Sequence, residues 1–431
     1  MEPLEQLRSE IDSIDREMGE LFVRRMDVAA RIAAYKQEHA LPVYDPSREG
    51  EVLSHCIDRL SRHELVPFYA LFQEKVMDLS KEYQHHLLHL LKGRSTFSSG
   101  VLGYEVFIER GSLSAAGCRL ALDRRVMIVT DNGVPPEYAE ALARQCRCCA
   151  IHRVSAGEGS KSLDTVRVLL RHMTDFGLTR GDCVAAVGGG MVGDLAGFAA
   201  SIYMRGVDFY NVPTTLLSQV DSSIGGKTAV DFSGVKNLVG TFHRPRAVLI
   251  DPVLLETLPR RQAAAGLAEV VKMAMTSDKN FFDQLESGDL FPVSDGVIRQ
   301  AAAIKAAIVS SDEREQSLRR ILNFGHTIGH AIELTHPELL HGECVALGML
   351  PMCDGPTADR LRALLIRLGL PIRCRLDRER ILRLMEHDKK TDKGSIIVTR
   401  VPEPGQFYFQ RVSPASLVEK LGLIEEGGTE L

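Results

Sequence analysis

Near the start of the chain, apolar side chains recur mostly at spacings of three and four. They are Leu4, Leu7, Ile11, Ile14, Met18, Leu21, Phe22, Val28, Ile32 and Tyr35. This spacing predicts one stripe on a helix of more than thirty residues. HALPVYDPSRE interrupts the pattern, Ser47 precedes a second predicted helix, and Pro67 precedes a third that runs to about Leu91. Three helices with one very long member cannot bury every apolar face alone, so we expect dimerisation through the long helix.

β-type runs replace the helical pattern after a small, polar segment at 93–100. The runs are YEVFIE, VMIVTD, CAIHRV, CVAAVGGG, VDFYNVP and AVLIDP, with helical patterns between several of them. This alternation predicts an α/β domain with a largely parallel sheet. From about Thr257 helical patterns dominate, except in SIIVTRV and QFYFQRV, which suit a hairpin. We therefore predict an all-α segment at 1–92, a linker at 93–100, an α/β domain at 101–256 and a mostly α-helical domain at 257–431.

Composition narrows the class of protein. A chain of 431 residues, 45% hydrophobic and 25% charged, is typical of a globular protein with two or three domains. The net charge of −5 argues against a nucleic-acid partner. The acidic, amphipathic N-terminus is no signal peptide, and no apolar run approaches the ~20 residues of a membrane helix. The sequence thus predicts a cytoplasmic protein without a membrane segment.

Cys146, Cys148 and Cys149 form the one cysteine cluster among nine scattered cysteines. Such a trio suits either a thiol metal site or plain packing in a reducing cytosol. No second cysteine pair stands at zinc-ligand spacing, which favours packing.

A glycine frame follows the strand CVAAVG and opens an apolar helix. Gly188, Gly190 and Gly193 fit G-x-G-x-x-G, in which backbone N–H groups approach a pyrophosphate at a helix N-terminus. The alternative is a plain tight turn between a strand and a helix. Asp131 at the end of VMIVTD suits a ribose hydroxyl, and GEGSKS supplies further polar residues at another strand end. These features favour a dinucleotide site.

Histidines and a carboxylate indicate a metal site. His326 and His330 stand four residues apart on one helix face, His341 follows in LLHGE, and Glu269 lies in GLAEVVK. Two histidines and a carboxylate suit catalytic zinc or a similar ion with open positions for substrate. Each histidine alone equally suits a hydrogen-bonded or solvated position. The flanking glycines, which favour a site, are Gly325, Gly329 and Gly342.

Basic and polar residues recur in glycine-rich or apolar segments, which is unusual for surface lysines. They are Arg205, Asp221, Lys227, Lys236, Asn237, Lys305, Arg319, Lys389 and Lys390. Any one of them suits a solvated surface, but together they suit a small substrate that bears a carboxylate and a phosphate.

The segments VGGGMVGDLAGF, PTTLLSQVDSSIGGKTAVD, GLAEVVK, DERE, LNFGHTIGHAIE and LHGE, in this order, resemble 3-dehydroquinate synthase of the sugar-phosphate cyclase superfamily. The resemblance spans roughly 100 to 425. It implies metal ligation by Glu269, His326 and His341 and a proton relay at His330. It implies that substrate is held by Arg205, Asp221, Lys227, Lys236, Asn237, Lys272, Lys305, Arg319 and Asn323. It implies that NAD is held by Asp131, Glu158, Lys161, Gly189, Gly190, Met191, Gly193, Asp194, Thr214, Thr215 and Thr257.

The reaction implied converts 3-deoxy-arabino-heptulosonate 7-phosphate to 3-dehydroquinate and phosphate. NAD oxidises one alcohol and is regenerated, and zinc or cobalt polarises the oxygen. The chain departs from the pattern at Gln262, where a glutamate is usual, at Gly133, where asparagine is common, and in a short stretch after Gly348.

Residues 1–92 resemble the all-helical type of chorismate mutase. The matching residues are Arg8, Arg25, Lys36, Asp45, Arg48, Glu49, Ser80 and Gln84. Arginines would clamp the two carboxylates of chorismate, and Lys36 and Gln84 would stabilise charge on the ether oxygen. Arg8 would reach the partner subunit, so the resemblance also implies a homodimer or higher oligomer. The alternative is a generic charged helical hairpin.

Three competing functions stay open at the level of sequence. The first is a sibling cyclase of secondary metabolism, and the second is a metal-dependent polyol dehydrogenase, which would accumulate NADH. The third keeps the synthase but makes residues 1–92 a regulatory or dimerisation module without catalysis.

Overall fold

The computed structural model describes residues 4–38, 52, 60, 62–73, 75–77, 79–80, 96–97, 102–315, 317–386 and 395–425. The chain divides into two compact units, Met1–Arg94 and Ser95–Leu431. Within the described ranges, no helix is both long and apolar enough to cross a membrane.

One long helix dominates the N-terminal unit. Helix α1 spans Leu4–Glu38, which confirms the prediction of a helix of more than thirty residues. A further helical stretch covers 66–73, 75–77 and 79–80, where the sequence predicts the third helix. The second predicted helix lies outside the described residues except for Val52, which is helical. Ala29 and Met77 are buried, whereas most of the apolar stripe of α1 is exposed in the single chain.

A seven-stranded sheet, in the order β1-β2-β9-β6-β5-β3-β4, forms the centre of the second unit. Its strands are β1 (Thr96–Phe97), β2 (Glu105–Ile108), β3 (Arg125–Asp131), β4 (Cys148–Val154), β5 (Cys183–Gly188), β6 (Asp208–Pro213) and β9 (Ala247–Ile250). All neighbours are parallel except β1 and β2. All six predicted β-type runs form strands, so the predicted α/β fold is confirmed. β1 was not expected, because it lies in the predicted linker.

Both faces of the sheet are covered, as parallel sheets require. Helices α3 (Leu163–Asp175) and α4 (Gly190–Ile202) pack with Val129 and Val184 on one face. Helix α2 (Pro136–Ala143) packs with Ile128 on the other. Strands β2 and β9 share a third core with the helices that follow. The carboxyl ends of β5 and β6 therefore meet at one edge of the sheet.

A two-stranded hairpin, β7 (Lys227–Phe232) and β8 (Val235–Phe242), is missing from the predicted strands. Its two-residue turn is Ser233-Gly234, and both residues have positive φ, 51° and 77°. Such turns match the twist of the flanking strands. The lysines of this segment were interpreted as an anion site, so the alternation of polar and apolar side chains that is typical of strands was overlooked.

The C-terminal part is mostly helical, as the sequence predicts. Its helices are α5 (Arg260–Ser277), α6 (Lys279–Ser287), α7 (Asp295–Ser311), α8 (His326–Thr335), α9 (His341–Met349), α10 (Gly355–Leu368), α11 (Arg378–Glu386) and α12 (Pro414–Glu419). Strands β10 (Ile396–Arg400) and β11 (Tyr408–Val412) pair antiparallel, which confirms the predicted hairpin.

Candidate active site

Glycines let α5, α8 and α9 pack closely. A Cβ at Gly329 on α8 would lie 2.9 Å from the Cys344 carbonyl oxygen on α9. A Cβ at Gly342 on α9 would overlap the Ala265 carbonyl oxygen on α5. Only glycine permits these approaches, so the glycines beside the histidines set the spacing of the three helices.

Four side chains converge where these helices meet. His326, His330 and His341 each place a ring nitrogen within 4.8 Å of those of the other two. Oε1 of Glu269 lies 3.7 Å from His326 Nε2 and 3.6 Å from His341 Nε2. Glu269 is 1% exposed, and among the described residues neither of its carboxylate oxygens has a hydrogen-bond partner of normal geometry, although Lys272 forms an ion pair with it. Oε1 thus faces the Nε2 atoms of two histidines, and one carboxylate with two imidazoles is a common ligand set of catalytic zinc, so the residues fit zinc or a similar ion.

Two oxygens orient the imidazoles. His326 Nδ1 lies 3.2 Å from the Phe324 carbonyl oxygen, and His341 Nδ1 lies 3.3 Å from Glu333 Oε2. In a neutral imidazole the ring nitrogen beside such an acceptor carries the proton, and Nε2 has the lone pair. Both Nε2 atoms face Glu269, as a cation site requires.

The charges of this cluster shift the pKa values of its members. Burial alone would raise the pKa of Glu269, but Lys272 and His341 outweigh burial and hold that pKa well below its usual range. Burial would lower the pKa of His341, but Glu269 and Glu333 on either side raise it to about 9. Burial and the charge of Lys272 lower the pKa of His326 well below its usual value. His326 is thus neutral near pH 7, the form in which imidazole binds cations, whereas His341 must release a proton when it binds one.

Two buried lysines share one carboxylate beside this cluster. Lys305 Nζ donates to Asp221 Oδ1 at 2.7 Å, and Lys272 Nζ lies 3.9 Å from the same oxygen. Asp221 belongs to a π-helical turn, an irregularity often found at functional sites. Burial lowers the pKa of Lys305 to about 8, and the charges of Lys272 and Arg319 add to this effect while Asp221 opposes it. The ammonium groups are therefore placed to hold an anion.

Lys227, Lys236 and Asn323 each contact a glutamate. Lys236 Nζ donates to Glu333 Oε1 at 2.7 Å. Lys227 pairs with Glu315, which also accepts from Asn323 Nδ2 at 2.6 Å. Contacts link the predicted substrate residues Asp221, Lys236, Lys272 and Lys305 to the cluster. The charge of Arg319 acts on Asp221, and the charge of Glu315, the partner of Lys227 and Asn323, acts on Lys272.

Two predicted substrate residues stand apart. Arg205 is exposed on left-handed backbone, φ 69°, and within the described ranges no hydrogen bond or ion pair joins it to the cluster. Arg205 lies in the turn after α4, away from the charged side chains around Glu269 and Asp221. The side chain of Asn237 is exposed, and its backbone N–H donates to Asp231 Oδ1 at 2.7 Å. Lys389 and Lys390 lie outside the described residues.

The glycine frame forms the turn from β5 into α4, which starts at Gly190. A Cβ at Gly189 would lie 3.1 Å from Thr215 Cγ2. The N–H of Thr214 donates to the Gly188 carbonyl oxygen at 2.9 Å, so the ends of β5 and β6 are joined. The backbone N–H groups at the start of α4 therefore face this edge of the sheet, as phosphate binding requires.

Further along α4, Met191 is half-buried, and Gly193 is buried. A Cβ at Gly193 would lie 3.0 Å from Asn211 Nδ2, so this glycine admits the Asn211 amide from β6. The turn from β5 into α4 and the first turn of α4 thus require glycine at several positions.

Glu158 and Lys161 lie in the turn after β4, Asp194 lies on α4, and Asp131 ends β3. Lys161 is 5% exposed and lies 2.7 Å from Asp194 Oδ2 and 3.5 Å from Glu158 Oε1. Burial raises the pKa of Asp194 to about 6, against the opposing charge of Lys161. Asp131 Oδ1 accepts from the backbone N–H of Gly133 at 2.7 Å.

Thr257 lies after β9, and its Oγ1 is 2.8 Å from the hydroxyl of Tyr138. Two members of the cysteine trio behave as packing residues do, whereas Cys148 is exposed. Cys146 and Cys149 donate to carbonyl oxygens of α2, and burial raises the pKa of Cys146 to about 12.

In the N-terminal unit, three predicted residues lie on α1. Arg25 Nη1 donates to the Val76 carbonyl oxygen at 3.2 Å and pairs with Ser80 Oγ, which is buried. Arg8 is exposed, and Lys36 is half-buried. The predicted residues outside the described ranges are Asp45, Arg48, Glu49 and Gln84.

Glu315 and Glu333 contact the candidate site but are not among the predicted residues, although the motifs DERE and GHAIE contain them. Glu333 follows His326 by seven residues and His330 by three, so it shares their helix face. That spacing could have identified Glu333 from the sequence. The partner of Glu315, Lys227, is 88 residues away, and no local pattern reveals it.

Models of protein families match most of the chain. The matches are 3-dehydroquinate synthase N-terminal at 151–265, 3-dehydroquinate synthase C-terminal at 266–391 and chorismate mutase type II at 7–85. A 3-dehydroquinate synthase of Streptococcus sanguinis is 40% identical over 342 residues, which are 74% of this chain and 96% of that protein. One of Enterococcus faecalis is 43% identical over 326 residues, which are 70% of this chain and 91% of that protein.

Solved structures show the same fold. A 2-epi-5-epi-valiolone synthase from Streptomyces hygroscopicus, with NAD+ and Zn2+ bound, has a TM-score of 0.68 and 29% identity over 74% of this chain and 95% of that one. A 2-deoxy-scyllo-inosose synthase, complexed with carbaglucose-6-phosphate, NAD+ and Co2+, has a TM-score of 0.67 and 28% identity over 74% of this chain and 96% of that one. Glycerol dehydrogenase from Schizosaccharomyces pombe, with a TM-score of 0.53 and 16% identity over 72% of this chain and 86% of that one, shares the fold alone.

Proposed function

The chain belongs to the 3-dehydroquinate synthase family and carries a chorismate mutase type II segment, and on this premise we propose which residues perform the two reactions. It is a bifunctional enzyme that makes 3-dehydroquinate and phosphate from 3-deoxy-arabino-heptulosonate 7-phosphate, and prephenate from chorismate. We assign the mutase to 1–92, a linker to 93–100, the NAD-binding part to 101–256 and the metal- and substrate-binding part to 257–431. The observation that carries the proposal is the meeting of Glu269 with three imidazoles beside Lys272 and Lys305.

Two relatives of this fold hold NAD with zinc or cobalt, and we propose the same pair of cofactors here. Glu269, His326 and His341 are the proposed ligands of the cation. When bound, NAD supplies a reversible hydride acceptor and the cation supplies a Lewis acid for the alcohol oxygen. The position of Glu269 Oε1 beside His326 Nε2 and His341 Nε2 supports this set.

The remaining residues of the cluster position the substrate and a proton. His330 faces His326 and His341 without belonging to the proposed ligand set, so we assign it the proton relay. Lys272 and Lys305 are fixed by Asp221 before substrate binds, which makes their positive charge available without reorganisation. The other proposed substrate residues are Arg205, Lys227, Lys236, Asn237, Arg319 and Asn323.

NAD is proposed to lie at the edge where β5 and β6 end. The start of α4 would hold the pyrophosphate through backbone N–H groups. The proposed contacts are Asp131, Glu158, Lys161, Gly189, Gly190, Met191, Gly193, Asp194, Thr214, Thr215 and Thr257.

In the mutase, Arg25 is proposed to clamp a carboxylate of chorismate, and its contact with buried Ser80 supports this by fixing the guanidinium. Because the rearrangement needs no nucleophile, positioned charge is the whole contribution of the protein. The other proposed residues are Arg8, Lys36, Arg48, Glu49 and Gln84.

The synthase assignment is tested by adding 3-deoxy-arabino-heptulosonate 7-phosphate to purified protein with NAD and zinc. Phosphate release and absorbance at the NADH wavelength are followed together. We expect phosphate release without lasting NADH, because the hydride returns to the product. Steady NADH accumulation would indicate a dehydrogenase instead. No reaction, with chorismate still consumed in a parallel tube, would favour a sibling cyclase with another sugar phosphate.

The pH dependence of the synthase is expected to follow Lys305. Because the pKa of Lys305 is lowered to about 8, its charge is present below that pH and lost above it. We therefore expect kcat/KM to fall as pH rises through about 8, since the neutral amine no longer holds an anion. Asp221→Asn removes the carboxylate that favours the charged form, so the fall should begin at lower pH. Profiles of kcat/KM that coincide for both proteins would contradict this role.

We propose that α1 forms a dimer with a second copy of the chain. Its apolar stripe repeats at spacings of three and four, and Ile11 and Leu21 are 57% and 58% exposed in the single chain. An apolar stripe of this pattern is normally buried against another helix. The eight described cysteines are free thiols, which supports the further proposal of a cytoplasmic location.

Ile14→Glu is expected to dissociate this dimer, because it places a charge in the apolar stripe of α1. Arg16→Glu introduces the same residue about 200° around α1 and is the matched control. Sedimentation of the full chain measures the assembly, and mutase activity should fall with Ile14→Glu alone because Arg8 acts in the partner. A monomeric protein with full mutase activity would contradict the proposal.

A further inference from the structure

Glu333 lies between a proposed metal ligand and a proposed substrate residue. It is on α8, and its carboxylate is 12% exposed. Oε2 lies 3.3 Å from His341 Nδ1 on α9, while Oε1 accepts from Lys236 Nζ on β8 at 2.7 Å. Each oxygen thus has its own donor, on a different element of the fold.

The contact with His341 selects a tautomer. When Nε2 gives up its proton to a cation, a carboxylate beside Nδ1 keeps the remaining proton on that nitrogen, so the lone pair is on Nε2. His341 Nε2 lies 3.6 Å from Glu269 Oε1, so the lone pair points toward the proposed cation position. His326 achieves the same orientation through the Phe324 carbonyl oxygen.

The contact with Lys236 holds the β7–β8 hairpin against α8. Lys236 is about one-third exposed, and a lysine at such a position normally has wide rotamer freedom. A charge-assisted hydrogen bond to a mostly buried carboxylate restricts that freedom. The same carboxylate therefore fixes an ammonium group and an imidazole relative to each other.

We propose, building on the function proposed above, that Glu333 is a positioning residue of the synthase reaction. It aims His341 Nε2 at the cation and holds Lys236 beside the substrate. Glu333 does not contact the reacting atoms, so its effect passes through these two residues.

Glu333→Gln separates this role from simple space filling. Glutamine has nearly the same volume, but it offers one acceptor oxygen and one NH2 donor in place of two acceptors. If its oxygen faces the Lys236 ammonium, its NH2 faces Nδ1 of His341. That arrangement favours the tautomer with the proton on Nε2, where the cation must bind.

The test measures zinc affinity of the metal-free full chain by competition with a chromophoric chelator, without substrate. We expect Glu333→Gln to bind zinc about 10–100-fold more weakly than the wild type, the usual cost of losing an outer-shell partner. Glu338→Gln is the matched control, because it makes the same change at an exposed glutamate near the start of α9. Excess zinc should restore kcat of Glu333→Gln, while KM stays raised because Lys236 is less well held.

Glu333→Asp keeps two acceptors on a shorter side chain, so its zinc affinity should lie between those of the wild type and Glu333→Gln. Equal zinc affinity in wild type, Glu333→Gln and Glu338→Gln would overturn the proposal. So would an Asp variant weaker than the Gln variant, because volume would then matter more than the acceptor pair. If the wild type binds zinc but does not release phosphate, the proposed reaction fails, and the zinc comparison still decides the role of Glu333.

Discussion

Glu269→Gln is expected to abolish the synthase reaction while chorismate mutase activity persists. The carboxylate is the only charged oxygen ligand in the proposed set, and an amide oxygen is a weaker ligand for zinc. Zinc affinity should fall by more than the about 10–100-fold that loss of an outer-shell partner costs. Equilibrium dialysis with metal analysis measures zinc binding, and phosphate release measures the reaction.

The variant also leaves the Lys272 ammonium without its nearest carboxylate. Asp221 remains at 3.9 Å, but breaking a buried ion pair costs about 3–5 kcal/mol, so we expect a lower melting temperature. Mutase activity of the same preparation shows whether the N-terminal unit is intact. Glu256→Gln is the matched control, because Glu256 forms a surface ion pair with Arg110, which contributes little.

The same experiment discriminates between two ligand sets. One ring nitrogen from each of His326, His330 and His341 lies within 4.8 Å of the other two. Retained zinc affinity in Glu269→Gln, with loss in His330→Gln, would assign the cation to three imidazoles. Loss in Glu269→Gln with retention in His330→Gln supports the carboxylate set and leaves His330 as the relay.

Local patterns were sufficient to predict α1 and six of the described strands. Six β-type runs became strands and the stripe from Leu4 to Tyr35 became α1, because period and turn residues are local properties. The hairpin at 227–242 was missed, since its alternation is short and rich in lysine and glycine. In this segment the lysines and glycines suggested a binding loop, although the alternation of side chains indicated two strands.

Candidate residues could be predicted one at a time, whereas their pairing could not. Asp221 meets Lys305 across 84 residues, and Lys236 meets Glu333 across 97. Such partners depend on how the hairpin, the π-helical turn and α8 pack, which no single segment specifies. The metal motif was readable because His326 and His330 are neighbours on one helix. Glu333 shares that helix face, yet its role depends on contacts with His341 and Lys236.

Arg25→Ala is expected to reduce chorismate mutase kcat by about 10²-fold, the size of loss that misplacing a bound substrate causes, with no change in synthase turnover. Arg25 is the described arginine of α1 whose guanidinium is fixed, through Ser80 and the Val76 carbonyl oxygen. The rearrangement depends on holding two carboxylates in one conformer, so a neutral methyl group removes the clamp without blocking the site. Prephenate formation measures the first activity and phosphate release the second.

Arg24→Ala is the matched control, because Arg24 is the neighbouring residue on α1 and is exposed. It removes the same charge from the helix, so both variants change the net charge of the unit equally. Loss of mutase activity in Arg25→Ala alone assigns catalysis to the N-terminal unit. Equal mutase activity in both variants would instead make residues 1–92 a scaffold or regulatory module. The exposed apolar stripe of α1 would then be their main functional surface.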